Sequence, residues 1–293
     1  MNIGEKIKKL RLSKLMTQSD LAGDHITRNM LSAIEHGTAL PSLPTVIYIA
    51  ERLNVPVGYL TCEEGEEFFY RKHAALPNIR RAFVQKDFAG CLLLLSLLGE
   101  EDDELALIRA ECEYKMALDG IEKGHLRLAA AALDRALSAG ASTVYEAACL
   151  RERIAVCSRY LTALSPTLVS DVLDSDEVEN ARALGDAFVE YAMAIQTLEN
   201  GRAEAAEEYL LRYPETVYAQ RLTALLMMRR GEYLVAQEAL EALLARDELT
   251  FGTLLYEVFG DLEICYRQND DYKRAYEFAG SRIGLLERLL EEI

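Results

Sequence analysis

The chain has 293 residues, 51% of them hydrophobic, which is enough for two folding units. No run of about eighteen apolar residues occurs, and no apolar segment follows the first lysines, so neither a membrane span nor a signal peptide is predicted. We therefore expect a cytoplasmic protein. The six cysteines and four histidines lack the spacing of zinc ligands, so the sequence predicts no metal site and no cofactor.

Charge is distributed unevenly along the chain. The net charge is −16, yet residues 1–60 hold seven Lys or Arg and five Asp or Glu, a balance of +2. The other residues together carry −18. The acidic part of the chain after residue 60 would be repelled by nucleic-acid phosphates, whereas the weakly basic residues 1–60, which we call the head, would not.

Residues 1–60 are predicted to form five short helices. Ile3, Ile7 and Leu10 recur at helical spacing and predict the first helix. Its other faces carry the basic residues Lys6, Lys8, Lys9, Arg11 and Lys14. Thr17 and Thr27 stand where helix N-caps are needed and predict the starts of the second and third helices. Two short helices joined by a tight turn match a helix-turn-helix, whose second helix enters the major groove of DNA.

Four segments of this region closely resemble the Cro/repressor (XRE) family. They are TQSDLA at 17–22, SAIEHG at 32–37, PSL at 41–43 and AERLNV at 50–55. The resemblance implies a five-helix, lambda-repressor-like helix-turn-helix domain over residues 1–62 of an all-α protein. It also implies a structural ion pair between Arg11 and Glu35, which would join the first and third helices.

The same resemblance assigns residues to DNA. Gln18 and Thr17 would hold the DNA backbone, while Arg28, Asn29 and Ser32 would face base edges. The chemistry agrees, because Arg bonds guanine through two donors and Asn bonds adenine through a donor and an acceptor. The predicted DNA-binding set is Lys8, Thr17, Gln18, Thr27, Arg28, Asn29 and Ser32. The alternative is that these are ordinary solvated residues on a packing module.

A helical repeat is predicted after a linker helix at 63–82. A turn-like step recurs with its first residue, the anchor, at Lys86, Gly124, Gly201, Gly231 and Asp270. Small residues lie five positions after each anchor, namely Cys91, Ala129, Ala206, Ala236 and Ala275, and alanines lie seven positions before three of them, namely Ala117, Ala194 and Ala224. Small residues at these offsets let paired helices pack closely around a tight turn.

This pattern resembles tetratricopeptide helix hairpins. The resemblance implies an α-solenoid over residues 83–293, with five or six hairpins in a right-handed superhelix and one degenerate unit around Thr162. The first helices of such hairpins form a concave wall that binds extended peptides or partner helices. The family's inward offsets point at the predicted peptide contacts Tyr114, Arg159, Tyr191, Tyr218, Arg221 and Arg267. They also point at Tyr160, Arg229 and Gln268, with Glu111, Glu122, Glu199 and Glu257 beside them.

The two domains together resemble the peptide-pheromone regulators of the Rgg/PlcR/PrgX group, which act in quorum sensing. The turn at 23–27, GDHIT, supports this, because it is one residue shorter than the common XRE pattern. The resemblance implies a homodimeric transcription regulator that binds a double-stranded DNA operator and senses a short signal peptide. One departure is that none of the predicted inward positions holds the asparagine by which that group clamps a peptide.

Two other classes of function are weighed against this one. A repressor whose repeats bind a protein partner, or only mediate dimerisation, is the alternative, and a self-occluded groove would favour it. An enzyme is not predicted, because no Gly-rich phosphate loop, nucleophile elbow or isolated carboxylate pair is found.

Overall fold

The computed structural model describes residues 2–63, 65–145, 148–169, 185–247, 249 and 251–291. Over these ranges the regular secondary structure consists of sixteen α-helices, which confirms the predicted all-α class. None of the described helices is long and apolar enough to cross a lipid bilayer. The chain divides into two units, one of Met1–Lys86 with Leu93–Glu100 and one of Asp87–Leu92 with Glu101–Ile293.

The first unit begins with five short helices, and a long helix follows them. These are α1 (Ile3–Ser13), α2 (Gln18–Ala22), α3 (Arg28–Glu35), α4 (Leu43–Arg52), α5 (Val57–Thr61) and α6 (Glu67–Val84). The predicted caps are confirmed. The Thr17 side chain accepts a hydrogen bond from the Asp20 amide, and the Thr27 side chain accepts one from the Met30 amide, both at 3.1 Å. Each bond satisfies an amide that the start of a helix leaves unpaired.

The core of these helices forms where their apolar faces meet. Its fully buried residues include Ile7, Leu21, Leu31, Ile34, Ile49, Leu53 and Leu60. Gly4 lets α1 approach α3 closely, because a Cβ atom at this position would lie 1.9 Å from the Ile34 carbonyl oxygen. The helical spacing of Ile3, Ile7 and Leu10 therefore describes a real packing face.

The prediction that Lys6 lies on an outer face of α1 is wrong. The Lys6 side chain is 1% exposed. The ammonium donates to the Cys62 carbonyl at 2.7 Å and contacts Glu67 Oε1 at 3.1 Å. The physical reason is that these oxygens, from the end of α5 and the start of α6, replace the water that a buried ammonium loses. Lys6 therefore joins α1 to the region that leads into α6.

The remaining ten helices run from α7 to α16, and most of their residues belong to the second unit. They are α7 (Phe88–Leu98), α8 (Asp103–Lys123), α9 (Leu126–Ala141), α10 (Ala148–Leu164), α11 (Ala187–Glu199), α12 (Glu204–Arg212), α13 (Val217–Arg229), α14 (Tyr233–Leu244), α15 (Thr253–Gln268) and α16 (Tyr272–Glu291). Residues Leu93–Glu100, which include the end of α7, group with the first unit.

The predicted turns all lie between consecutive helices. All five anchors have positive φ: Lys86 60°, Gly124 83°, Gly201 87°, Gly231 81° and Asp270 61°. The small residues at the two predicted offsets are all buried. A left-handed residue ends the first helix sharply, and small side chains let the second helix pack back against it. The predicted helix hairpins at Gly124, Gly201, Gly231 and Asp270 are therefore present, whereas their tetratricopeptide classification stays a prediction.

The degenerate unit predicted around Thr162 is only partly visible. Thr162 lies inside α10, which continues to Leu164, so the chain does not turn there. The Thr162 hydroxyl instead donates to the Ser158 carbonyl at 2.8 Å, as helical residues commonly do. The rest of this predicted unit falls on residues 170–184, which lie outside the described residues.

The α8–α9 hairpin contacts the α15–α16 hairpin, and we call this contact the clasp. The Thr253 hydroxyl donates to the Ile121 carbonyl at 3.3 Å, and Arg127 Nε donates to the Leu290 carbonyl at 2.8 Å. Gly252, with φ 111°, lies against α8, because a Cβ atom there would be 2.3 Å from the Glu122 carbonyl oxygen. Helices α8 and α15 were predicted to line a concave wall, and the clasp brings them together.

The clasp gives a stability prediction at Gly252. Gly252→Ala should lower the free energy of unfolding by roughly 2–4 kcal/mol, because alanine is strained at this φ and its methyl group meets the α8 backbone. Urea unfolding followed by circular dichroism measures the change.

A matched control is Gly284→Ala in α16, where an added Cβ meets no atom within 4 Å. This variant should be neutral or should gain up to about 1 kcal/mol from helix propensity. Equal stability of the two variants would show that the close approach at Gly252 is absent.

Candidate functional site

The exposed face of α3 carries polar side chains, and two of them have no protein partner among the described residues. Thr27, Arg28 and Asn29 are exposed, and Ser32 is half-buried. Within the described ranges, the side chains of Arg28 and Asn29 make no hydrogen bond or ion pair. The five N–H donors of the guanidinium and both the donor and the acceptor of the carboxamide therefore remain available to a ligand. Lys8 is likewise exposed, on α1.

A buried ion pair holds α3 in place. Arg11 Nε donates to Glu35 Oε1 at 2.6 Å and Arg11 Nη2 donates to Glu35 Oε2 at 3.0 Å, so the expected pair is present in two-pronged form. Arg11 Nη1 also donates to the Met16 carbonyl at 2.8 Å. One carboxylate of α3 is thereby tied to α1 and to the loop that precedes α2.

Gln18 belongs to the same network. Its amide nitrogen donates to Glu35 Oε2 at 2.8 Å, so the side chain predicted to hold the DNA backbone is itself held by α3. The amide retains a second N–H group and its carbonyl oxygen. Thr17 is exposed, and its oxygen caps α2 while its O–H group remains free to donate. The structure therefore fixes where Gln18 and Thr17 lie relative to Arg28 and Asn29.

The ion pair makes the stability of this region depend on pH. Burial raises the pKa of Glu35, but the hydrogen bonds from Arg11 and Gln18 outweigh burial, so that the pKa lies below its ordinary value. A carboxyl whose pKa is lower in the folded state stabilises the fold above its unfolded pKa, and this contribution is lost as the pH falls toward the folded pKa.

Glu35→Gln tests this network. The variant should lose about 2–4 kcal/mol of unfolding free energy at pH 7, because Arg11 stays buried without its anion. The difference from wild type should shrink as the pH falls below the ordinary glutamate range. Urea unfolding at neutral and acidic pH measures both effects, and a difference that does not change with pH would contradict the assigned role.

The first helices of the hairpins in the second unit, which we call the inner helices, bring a second set of polar side chains together. The Tyr191 hydroxyl, from α11, donates to Glu257 Oε2 on α15 at 2.8 Å. Arg221, from α13, donates through Nε to Asp261 Oδ2 at 2.6 Å and lies 3.0 Å from Glu257 Oε2 through Nη1. Three successive inner helices thus meet through one guanidinium, two carboxylates and a phenol.

The set continues toward α8. The Tyr114 hydroxyl donates to Asp186 Oδ2 at 3.0 Å, and Lys115 Nζ lies 3.1 Å from the same oxygen. The rings of Tyr191 and Tyr218 lie 4.5 Å apart, and the Tyr218 hydroxyl reaches Glu122 Oε1 at 3.5 Å. We call the whole set the inner cluster: Tyr114, Lys115, Glu122, Tyr160, Asp186, Tyr191, Tyr218, Arg221, Glu257 and Asp261.

The inner cluster contains four of the six predicted peptide-binding residues. Tyr114, Tyr191 and Arg221 are buried in it, and Tyr218 lies half-buried at its edge. The inner cluster also contains Tyr160, Glu122 and Glu257, which were predicted at or beside the same wall. The inward offsets therefore identify side chains that meet in space, although most of them bind each other.

Two of the six predicted peptide-binding residues lie apart from the inner cluster, and their assignment to a peptide stays a prediction. Arg267 is exposed and pairs with Glu263 on its own helix at 2.8 Å, because the two lie one helical turn apart. Arg159 is half-buried and, within the described part of the chain, forms no ion pair or hydrogen bond. The remaining residues predicted at or beside the inner wall also lie elsewhere. Glu111 pairs with Arg153, and Arg229 donates to the Leu198 carbonyl. Glu199 and Gln268 are exposed.

Sequence reasoning missed Asp186, Asp261 and Lys115. Asp261 follows Glu257 by one helical turn, so a search for acidic residues on the inner face of α15 could have found it. Asp186 is the N-cap of α11, where its side chain accepts from the Phe188 amide at 3.2 Å. A cap position lies outside the hairpin offsets, and nothing in the sequence links Asp186 to Tyr114.

Burial dominates the acid–base chemistry of the inner cluster. It raises the pKa of Glu257 more than the Arg221 guanidinium lowers it. The Glu122 side chain lies at the exposed edge of the cluster, yet the surrounding protein and the Asp119 carboxylate raise the pKa of its carboxyl. For Arg221, burial opposes the charge, but Asp261 and Glu257 outweigh burial and hold its pKa above the ordinary value. The guanidinium is therefore the fixed charge around which the carboxylates are arranged.

A separate pocket of about 360 Å³ lies between α9 and α10. Its lining includes Ala136, Leu137, Gly140, Leu150 and Ile154, and none of the predicted site residues. Within the described residues, no group of three or more His, Cys, Asp or Glu is arranged to hold a metal ion.

Comparison with known protein families matches the first unit. Residues 7–60 match the family model HTH_3, a helix-turn-helix. The matched segment covers α2, α3 and α4 and most of α1 and α5, so it contains both the Arg11–Glu35 pair and the exposed face of α3. Residues 7–60 are therefore a helix-turn-helix domain. Comparison with curated proteins gives no sequence match.

Three solved structures are similar to the chain. Bacillus thuringiensis PlcR in complex with the peptide PapR7 and DNA shares 16% identity over 99% of both chains, with a TM-score of 0.26. ComR from S. thermophilus, in complex with DNA and its signalling peptide ComS, shares 14% identity over 99% of this chain and 95% of that chain, with a TM-score of 0.25. The Streptococcus dysgalactiae SHP pheromone receptor Rgg2 shares 16% identity over 83% of this chain and 98% of that chain, with a TM-score of 0.20. TM-scores this low do not establish a common arrangement of the helices.

Proposed function

We propose that this chain, whose residues 7–60 are a helix-turn-helix domain, is a sequence-specific, cytoplasmic transcription regulator that reads an operator through α3. The observation that carries the proposal is the exposed face of α3, where Arg28 and Asn29 have no partner in the described part of the chain. Arg28 and Asn29 offer the donors and the acceptor that base edges require, and they lie on the second helix of the helix-turn-helix, the one that enters the major groove. The protein acts by binding and not by catalysis.

The proposed contacts divide into two kinds. Arg28 and Asn29, with Thr27 and Ser32 beside them, read base edges in the major groove, where Arg suits guanine and Asn suits adenine. Thr17, Gln18 and Lys8 contact phosphates, which fix the register of the protein on the duplex but carry no sequence information. The Arg11–Glu35–Gln18 network supports both kinds, since it joins the helix that reads bases to the residues that hold the backbone.

The second part of the proposal is that the helical repeats sense a short signal peptide. Its support is that tyrosines, a guanidinium and carboxylates from the inner helices converge on the inner cluster, and these groups are common anchors for peptides. PlcR was solved with the peptide PapR7 and DNA, and ComR with DNA and its signalling peptide ComS. The contacts of this chain, and not that similarity, support the proposal.

Coupling between the two parts requires a difference in affinity. We propose a homodimer whose two heads bind two half-sites. The peptide shifts DNA binding only if it binds one placement of the heads more tightly than another.

A second candidate function is favoured by one observation. Tyr114 and Tyr191 are buried, and Arg221 already binds two carboxylates, so the inner cluster is largely satisfied by its own contacts. In this candidate the repeats bind a protein partner or only mediate dimerisation, and the inner cluster is structural. The two candidates differ in whether a short peptide changes the affinity for DNA.

Substitution on α3 tests DNA recognition. Arg28→Ala and Asn29→Ala should each weaken binding to the cognate operator by about 1–3 kcal/mol and relax sequence preference at one position, because each removes a base-edge contact. Lys8→Ala should weaken binding about equally on all sequences, since it removes a phosphate contact. The operator is first selected from random duplexes, and affinities are then measured at fixed salt.

The control is Arg230→Ala, which removes an exposed arginine from the second unit. It should leave operator affinity unchanged. If Arg28→Ala and Asn29→Ala behaved like Arg230→Ala, the assignment of α3 as the reading helix would be wrong.

Peptide sensing is tested on the full chain. Mass spectrometry of small molecules that copurify under native conditions should detect a peptide, and adding that peptide should raise the Tm and change operator affinity, because a ligand of the folded state stabilises it. If no peptide copurifies, and pooled synthetic peptides change neither quantity, the second candidate function replaces the first.

A further inference from the structure

The inner cluster carries more negative than positive charge. Four carboxylates belong to it, those of Glu122, Asp186, Glu257 and Asp261, against two cations, Lys115 and Arg221. The nearby Arg153 does not change this balance, because it lies over the Tyr114 ring and pairs with Glu111 at 2.7 Å. A partly buried group of this composition lacks positive charge.

One polar group in the inner cluster has no partner. The Tyr160 side chain, from α10, is 8% exposed, and its hydroxyl makes no hydrogen bond in the described part of the structure. The hydroxyl lies near the side chains of Thr253 and Glu257, close enough to interact with both, but it meets neither in good hydrogen-bond geometry. A buried hydroxyl without a partner is costly, and a ligand atom placed between Tyr160 and Glu257 would satisfy both.

The inner cluster reaches the surface at Glu122 and Tyr218. Glu122 is exposed and Tyr218 is half-buried, whereas Tyr191 and Arg221 behind them are buried. The bond between the Tyr218 hydroxyl and Glu122 Oε1 is 3.5 Å long, the longest hydrogen bond within the cluster. A ligand group can therefore enter at Tyr218 by breaking the weakest contact that closes the cluster.

We propose that the inner cluster binds a positively charged group of its ligand, the ammonium or guanidinium of a basic peptide, between Glu122 and Glu257. The group lies against the Tyr218 ring, whose face attracts cations, and near the unpartnered Tyr160 hydroxyl. This inference rests on the proposed peptide-sensing function and specifies the chemistry of the peptide. An acidic peptide would meet the excess carboxylates and be repelled.

The position of the two carboxylates connects this ligand to the clasp. Glu122 lies on α8, and its own backbone carbonyl is the group that Gly252 approaches, while Glu257 lies on α15 one turn after Thr253. A cation between them attracts both helices toward each other. Binding of the basic group therefore strengthens the clasp, which gives the ligand a structural effect.

Three synthetic heptapeptide pools test the proposal on the full chain. The pools share the same random apolar positions, are acetylated and amidated at their ends, and carry one Lys, one Gln or one Glu at a randomised position. The Lys pool should raise the Tm and yield peptides that bind about tenfold more tightly than those of the other pools, because a hydrogen-bonded charge pair adds this much. Tm measurements and mass spectrometry of retained peptides provide the readouts.

Two variants locate the effect. Glu122→Gln should reduce the preference for Lys over Gln peptides about tenfold, and Tyr160→Phe should weaken the Lys peptides without affecting the fold, because the hydroxyl has no protein partner to lose. The control Glu208→Gln removes an exposed carboxylate from α12, outside the inner cluster and outside the predicted peptide contacts, and should leave the preference unchanged.

The outcomes separate this inference from the proposed function. If Gln or Glu peptides bind as tightly as Lys peptides, or Glu122→Gln leaves the Lys preference intact, the basic-ligand inference is overturned while peptide sensing stands. If no pool binds, the proposed peptide sensing fails, and the inference that depends on it fails too.

Discussion

Both units depend on the same physical constraint, which is that a charge removed from water must be paired. In the first unit the carboxylate of Glu35 is buried against Arg11, and in the second the guanidinium of Arg221 is buried against Glu257 and Asp261. A buried pair adds little net stability compared with apolar residues, but losing one partner is costly, so such pairs fix which helices meet and in what register. The exposed face of α3 owes its orientation to the first pair, and the inner helices owe their convergence to the second.

The two units use their polar residues differently. On α3 the side chains of Arg28 and Asn29 are exposed and, within the described part of the chain, unpaired, which suits a partner that supplies its own donors and acceptors, such as the edges of base pairs. In the inner cluster most polar groups are already bound to each other, so a ligand there has to compete with contacts that exist. A ligand that brings the missing positive charge competes best, because it improves the electrostatics of the cluster while it replaces a long hydrogen bond.

Small residues and left-handed turns let the inner helices approach closely enough for this. The five anchors adopt positive φ whether they are glycine, Lys86 or Asp270, so the turn geometry is imposed by hairpin packing as well as by residue type. At the clasp, Gly252 also has a positive φ and lacks a side chain. The start of α15 therefore lies directly against the α8 backbone. The consequence is an inner face that is closed and polar where the repeat pattern alone suggested an open wall.

Features that depend on neighbours along the chain could be predicted from the amino-acid order. The caps at Thr17 and Thr27, the hairpin turns and the buried alanines all follow from local rules of helix start, helix end and helix spacing. The folded structure was needed to find that Lys6 is buried against Cys62 and Glu67, that Gln18 binds Glu35, and that Tyr114 meets Asp186. These contacts join residues far apart in the sequence, and a residue type does not reveal which distant partner will satisfy its charge or hydrogen bond.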